Sequence, residues 1–191
     1  MRLTALISGA LALTLTGCVS VLPEPTTPDA LYRIEAAATP RFINATVVIR
    51  EPEAPQIMSG RAMIREDSAG AIRLIPSVEW AGRSTRLMQL ALVDSLVGDL
   101  GGAVLPESGV QAEYEVSTRL STLGFVGDAA VCNGTVNLVN LKTRQIVRQS
   151  RIEARTSDSE ARSAQTLKGA SEACVEQIAS FVEATLMDIG S

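Results

Sequence analysis

Between residues 113 and 121 the chain alternates without a break. Tyr114, Val116, Thr118 and Leu120 fall on one side of a strand, and Glu113, Glu115, Ser117, Arg119 and Ser121 on the other. A helix would scatter such a period around its circumference, whereas a strand sorts it into one buried and one wet face. Residues 131–141 repeat the pattern, with Cys132, Val136 and Leu138 opposed to Asn133, Thr135 and Asn137. Gly124, Gly127 and Asp128 are expected to break the chain between these two strands. Lys142-Thr143 turns it again into residues 146–155. A three-stranded meander with one solvated face is the frame on which the rest must pack.

The segments before it read as shorter strands and one helix. Leu31-Tyr32-Arg33-Ile34 opens the domain, and residues 45–49, rich in β-branched side chains, are stopped by Glu51-Pro52 and Pro55. Residues 58–65 and 71–78 flank Asp67-Ser68-Ala69-Gly70 as a hairpin. A helix capped by Ser84 or Thr85 is predicted to run to about Leu100, carrying Leu87, Leu90, Ala91, Val97 and Leu100 on roughly one face. Gly98, Gly101 and Gly102 read as its stop, with a short strand at Val104-Leu105. A capping box at Ser157 and Glu160 is expected to start a last helix, whose stripe is Leu167, Cys174, Ile178, Phe181, Val182 and Thr185. The expected fold is a single α/β domain over residues 31–191, a mixed, largely antiparallel sheet packed by two main helices.

The N-terminus belongs to another kind of signal. Arg2 precedes an uncharged apolar run over residues 3–15, then Thr16-Gly17 and Cys18. The run is shorter than the roughly 20 residues a membrane span needs, and its order is that of a secretory signal. Leu15-Thr16-Gly17-Cys18 resembles the lipobox of bacterial lipoproteins. That resemblance implies cleavage after residue 17, an S-diacylglycerol on Cys18 and an N-acyl chain such as palmitate on the new amine. An ordinary signal with an incidental cysteine, or an uncleaved anchor, are the plainer alternatives. Val19 after the cysteine favours the outer membrane, by resemblance to enterobacterial lipoproteins that use Asp there for inner-membrane retention. Pro23, Pro25 and Pro28 make residues 18–30 an extended tether.

Charge and residue usage narrow the chemistry. Loss of residues 1–17 removes Arg2 and no acid, taking the formal net charge from −4 to −5, which argues against nucleic acid. The chain has no histidine, so Ser-His-Asp and Cys-His catalysis and the commonest zinc ligand are unavailable. No glycine-rich loop has phosphate-binding spacing, and the carboxylate pairs Glu51/Glu53 and Glu66/Asp67 sit in polar, turn-like contexts. No catalytic residue, cofactor or metal site is expected.

Two cysteines beyond Cys18 face inward on separate elements. In an oxidising compartment Cys132 and Cys174 are expected to pair, closing a loop of about 43 residues worth roughly 4 kcal/mol. Two buried free thiols are the alternative. Trp80, the only tryptophan, reads either as a core residue between sheet and helix or as an aromatic anchor for a partner. Val97, Leu100 and Val104 could likewise edge an exposed patch, though core packing is the plainer use.

Cys18, Leu31-Tyr32-Arg33-Ile34, Ile64-Arg65, Ile72, Trp80-Ala81 and the Leu-rich segment from Leu87 to Leu96 together resemble the ABC-type transport auxiliary lipoprotein family. These are the Pqi-type lipoprotein partners of MCE-domain intermembrane transport systems. Gly82-Arg83-Ser84 departs from the prolines that members often carry after Trp-Ala. The resemblance implies a three-layer arrangement of the anticodon-binding type and a non-enzymatic role in trans-envelope lipid transport. It implies anchoring in the outer membrane and docking to an MCE protein, whose permease and ATPase lie in the inner membrane. Contact with phospholipid and homo-oligomerisation are left open. The competing reading is a structural or assembly lipoprotein of another outer-membrane machine, such as a secretin or polysaccharide exporter.

Overall fold

The computed structural model describes residues 27–99, 101–157 and 163–190. The expected signal, Cys18 and Leu100 lie outside the described residues. In chain order the strands and helices are β1 (Ala30–Tyr32), β2 (Arg41–Phe42), β3 (Thr46–Ile49), α1 (Gln56–Ser59), β4 (Ala62–Glu66), β5 (Ile72–Trp80) and α2 (Ser84–Ser95). They continue with β6 (Leu96–Val97), β7 (Gly102–Val104), β8 (Tyr114–Val126), β9 (Ala129–Asn140), β10 (Gln145–Ser157) and α3 (Ala164–Gly190).

The alternating segment becomes the axis of an eight-stranded mixed sheet. Along one edge β8 pairs antiparallel with β9 over its whole length, and β9 pairs with β10. The other edge of β8 is shared. Val47, Val48 and Ile49 of β3 run parallel to Tyr114, Glu115 and Val116, Glu53 bridges Arg119, and Arg65 and Glu66 of β4 run beside Phe125 and Val126. Beyond β4 lie β5 and then β1, whose three residues pair parallel with Val78, Glu79 and Trp80. β7 closes the other end against β3, and β2 with β6 forms a separate two-stranded sheet.

Helices α2 and α3 pack on one another, and α3 lies across β9 and β10. The core between sheet and helices is made of the side chains that the strand pattern turned inward. Val116, Leu120, Val136, Leu138 and Ile152 meet Leu167, Cys174, Ile178 and Val182 there. On the opposite side of the meander Ser117, Asn137 and Gln149 stand in register, and their side chains hydrogen-bond across the strands: Asn137 Nδ2 donates to Ser117 Oγ at 3.4 Å, and Gln149 Nε2 to Asn137 Oδ1 at 2.7 Å. β10 is an edge strand. Its exposed backbone at Glu153 is closed by the Gln177 side chain, which accepts the Glu153 N–H at 3.0 Å and donates to its carbonyl at 2.9 Å.

Several boundaries differ from the sequence expectation, each for a physical reason. α2 ends at Ser95, because Leu96 and Val97 leave the helix to pair with Arg41 and Phe42. Gly98 and Gly101 are therefore not a helix stop. A Cβ on Gly98 would lie 2.0 Å from the Ile43 carbonyl oxygen, and one on Gly101 2.5 Å from that of Ala45, so only glycine lets these backbones pass. Gly124 sits inside β8 instead of ending it, with the Ile64 side chain packed where its Cβ would be. Ser84 and Thr85 fall inside the first turn of α2, behind an Arg83 N-cap. Ser84 donates to the Met58 carbonyl and Thr85 to Glu51 Oε1 at 2.5 Å. Ser157 belongs to β10, and Glu160 lies outside the described residues. Ser163 does the capping of α3, its Oγ accepting the Thr166 N–H at 3.3 Å. The short elements β2, α1 and β6 carry too few residues to show a period.

Candidate docking surfaces

Trp80 does not serve as a surface anchor. It is 1% exposed and lies among the core side chains, so the partner-binding alternative for it is corrected. Its position follows from the bend after β5, where the Trp80 N–H donates to the Arg61 carbonyl at 2.8 Å and Ala81 N–H to that of Tyr32 at 2.7 Å. Val97 and Val104 are half-buried on β6 and β7 and do not stand out as an exposed patch. Cys132 on β9 and Cys174 on α3 are joined as a disulfide, Cα atoms 6.2 Å apart, and both are fully buried. Glu51 and Glu53 are both salt-bridged, to Arg83 at 2.6 Å and to Arg119 at 3.2 Å.

These two acids belong to a polar groove of about 820 Å³ at the β3–β8 seam. Arg50 meets Glu115 at 2.7 Å and Arg86 meets Glu107 at 2.7 Å, while Gln89 donates to the Ile49 carbonyl at 2.7 Å. Glu107 is held below the usual carboxylate range by its own backbone N–H and by Arg86. Each arginine in the groove thus faces a glutamate, and the arrangement is one of mutual neutralisation. Among the described residues no group of three or more His, Cys, Asp or Glu is placed to hold a metal ion.

A second surface is apolar, and the sequence reading missed it. The chain from Glu35 to Phe42 runs alongside α3. Glu35 accepts Lys168 at 3.4 Å, and its N–H donates to Glu172 at 3.1 Å; Arg41 then grips Glu176 and, at 3.4 Å, Glu183. The Glu176 hydrogen bond, and after it the charges of both acids, raise the affinity of Arg41 for its proton. Glu172, followed by Glu35, does the same for Lys168. This strap delivers Phe42 to the last turns of α3. There Phe42, Tyr114, Leu186, Met187 and Ile189 line a cleft of about 510 Å³, with Phe42 65%, Met187 61% and Ile189 45% exposed. From Lys168 to Met187 is about 28 Å of helix, so the cleft lies far along the domain from the Glu35 end. No signal in a single sequence marks Phe42 as exposed, because it sits in a two-residue strand.

Fold and surfaces define a mixed α/β domain whose conspicuous features are salt-bridged and apolar surfaces. Solved structures share this architecture. A protein from Xanthomonas campestris is 15% identical with a TM-score of 0.62, the match covering 84% of this chain and 94% of that one. A hypothetical protein from Chlamydia trachomatis is 10% identical with a TM-score of 0.52, covering 75% and 99%. At these identities the likeness is one of fold. No curated protein matches the chain. Residues 26–179 match the family described as the ABC-type transport auxiliary lipoprotein component, and the chain belongs to that family. No described helix is long and apolar enough to cross a membrane.

Proposed function

We propose that this protein is a non-enzymatic auxiliary component of an MCE/ABC-type intermembrane phospholipid transport system. It is held at the periplasmic face of the outer membrane by acyl chains on Cys18. The observation that carries the reading is the family match together with the Leu15-Thr16-Gly17-Cys18 motif upstream of it. Two or more acyl chains give stable anchoring without a spanning helix, at roughly 0.8 kcal/mol per buried methylene. The domain contributes binding and no chemistry: its groove carboxylates are matched to arginines, and its exposed apolar cleft at Phe42 and Met187 offers a protein partner a desolvated contact. In this reading the partner is the MCE protein reaching across the periplasm. The covalent lipid is the only non-protein group required.

Affinity purification of the full-length, membrane-extracted protein tests the proposal. Co-purification of an MCE-domain protein with its permease and ATPase is the expected result. Recovery of a secretin or a polysaccharide-export assembly in their place would overturn it.

A further inference from the structure

We infer that the β1–β5 edge of the domain is a membrane-apposed surface, lying against the lipid headgroup region of the bilayer that holds the anchor. The inference rests on acylation of Cys18 as proposed above, and adds to it which face of the domain meets lipid. Three large apolar side chains stand out on this edge: Leu74 is 61%, Leu31 53% and Ile72 41% exposed. Thr27 and Pro28, the first residues described, line a cleft of about 380 Å³ together with Ala62, Leu74, Ile75 and Pro76. The tether therefore leaves the domain at the apolar edge itself. Thr27 is only nine positions beyond Cys18, a span that at full extension reaches about 30 Å. The edge is thereby kept at high local concentration beside the bilayer, so that even a weak apolar contact is populated.

The same edge is poorly suited to a protein strand. β1 covers only Val78, Glu79 and Trp80 of β5, but the uncovered part contains Pro76, which has no N–H. Ser77 has φ of 64°, and its carbonyl accepts the Asp29 N–H at 2.7 Å. A regular backbone ladder is thus denied to an incoming strand, leaving side chains to make the contact. Arg61 is paired with Glu79 at 3.2 Å and Arg73 with Asp67 at 3.5 Å, and the charges flanking β1, Asp29 and Arg33, are of opposite sign, so the edge attracts through its apolar surface more than through net charge.

Bromolipid quenching tests this in the full-length acylated protein, reconstituted in vesicles of phosphatidylethanolamine and phosphatidylglycerol. Tryptophan is placed at the edge by Leu74→Trp and, in a second variant, at the β9–β10 end of the sheet by Ile146→Trp, a residue 58% exposed. Native Trp80 is buried and supplies a constant background. Brominated acyl chains are expected to remove roughly half of the added emission of Leu74→Trp and little of that of Ile146→Trp, because interfacial side chains sit about 5–10 Å into the boundary. Equal quenching of both variants, or none of either while the protein floats with the vesicles, would overturn the inference and leave the anchor intact. Failure of the protein to float with vesicles would remove the anchor and this inference together.

Discussion

At the scale of single residues, backbone proximity and turn chemistry decide more than side-chain size. Gly98 lets β6 slide against Ile43, and Gly98→Ala is expected to lower unfolding free energy by roughly 2–4 kcal/mol, read as a shift of the urea midpoint without a change in slope. Asp67 organises the β4–β5 turn by accepting the N–H groups of Ala69 and Ala71, each at 3.0 Å. The Ala71 N–H, then that of Ala69, hold its carboxyl below the usual aspartate range, with Arg73 adding to them. A depressed folded-state value means the stabilisation is complete above the unfolded aspartate range and is lost as pH falls through the folded one. Amide protection factors in residues 62–80, taken relative to the intrinsic exchange rate at each pH, are therefore expected to fall on acidification within that window, and Asp67→Asn to flatten the dependence. A turn that stays protected throughout would show that its hydrogen bonds do not depend on the charge.

At the scale of elements, the clasp between β9 and α3 has the largest leverage. Cys132 and Cys174 are 42 residues apart in sequence, and closing such a loop restricts the unfolded chain by roughly 4 kcal/mol. We expect the pair to be oxidised in the native compartment. Reduction is then expected to lower the thermal midpoint by about 10 °C, scaling that loss to a domain of this size. Two reactive thiols titrated in unfolded, unreduced protein would count against it. The two cysteines were legible because period-two and helical stripes both turned them inward. The meander, the β4–β5 hairpin and the two long helices were legible for the same reason: each is long enough for its period to repeat. What escaped was set by contacts remote in sequence. The shortening of α2 depends on Arg41 and Phe42 drawing Leu96 and Val97 into a strand. Ser163 replaced Ser157 as a cap because β10 continues its pairing with β9 through Ser157. The apolar cleft needed Phe42 beside Met187, which no local pattern encodes. Trp80 showed only that something large was being wedged, and the fold resolved it as core.

At the scale of the whole molecule, the surfaces are separated along its length. The tether leaves beside Leu74, while the cleft lies at the far end of α3. Substituting Phe42→Ser together with Met187→Ser is expected to abolish capture of the proposed MCE partner while leaving far-UV dichroism and the thermal midpoint nearly unchanged, since both side chains are mostly exposed. Retained capture would move the docking face elsewhere, with the polar groove the next surface to probe. The covalent link between sheet and helix has a mechanical consequence as well. When an outside load is applied between Thr27 and the far end of α3, it passes through β1, the sheet and the cystine in series. The helix cannot peel past Cys174 while that crosslink stands, so yielding is confined to the turns after it and to the three backbone pairs of β1. The first segment to give way simply lengthens the leash and leaves the rest of the body folded.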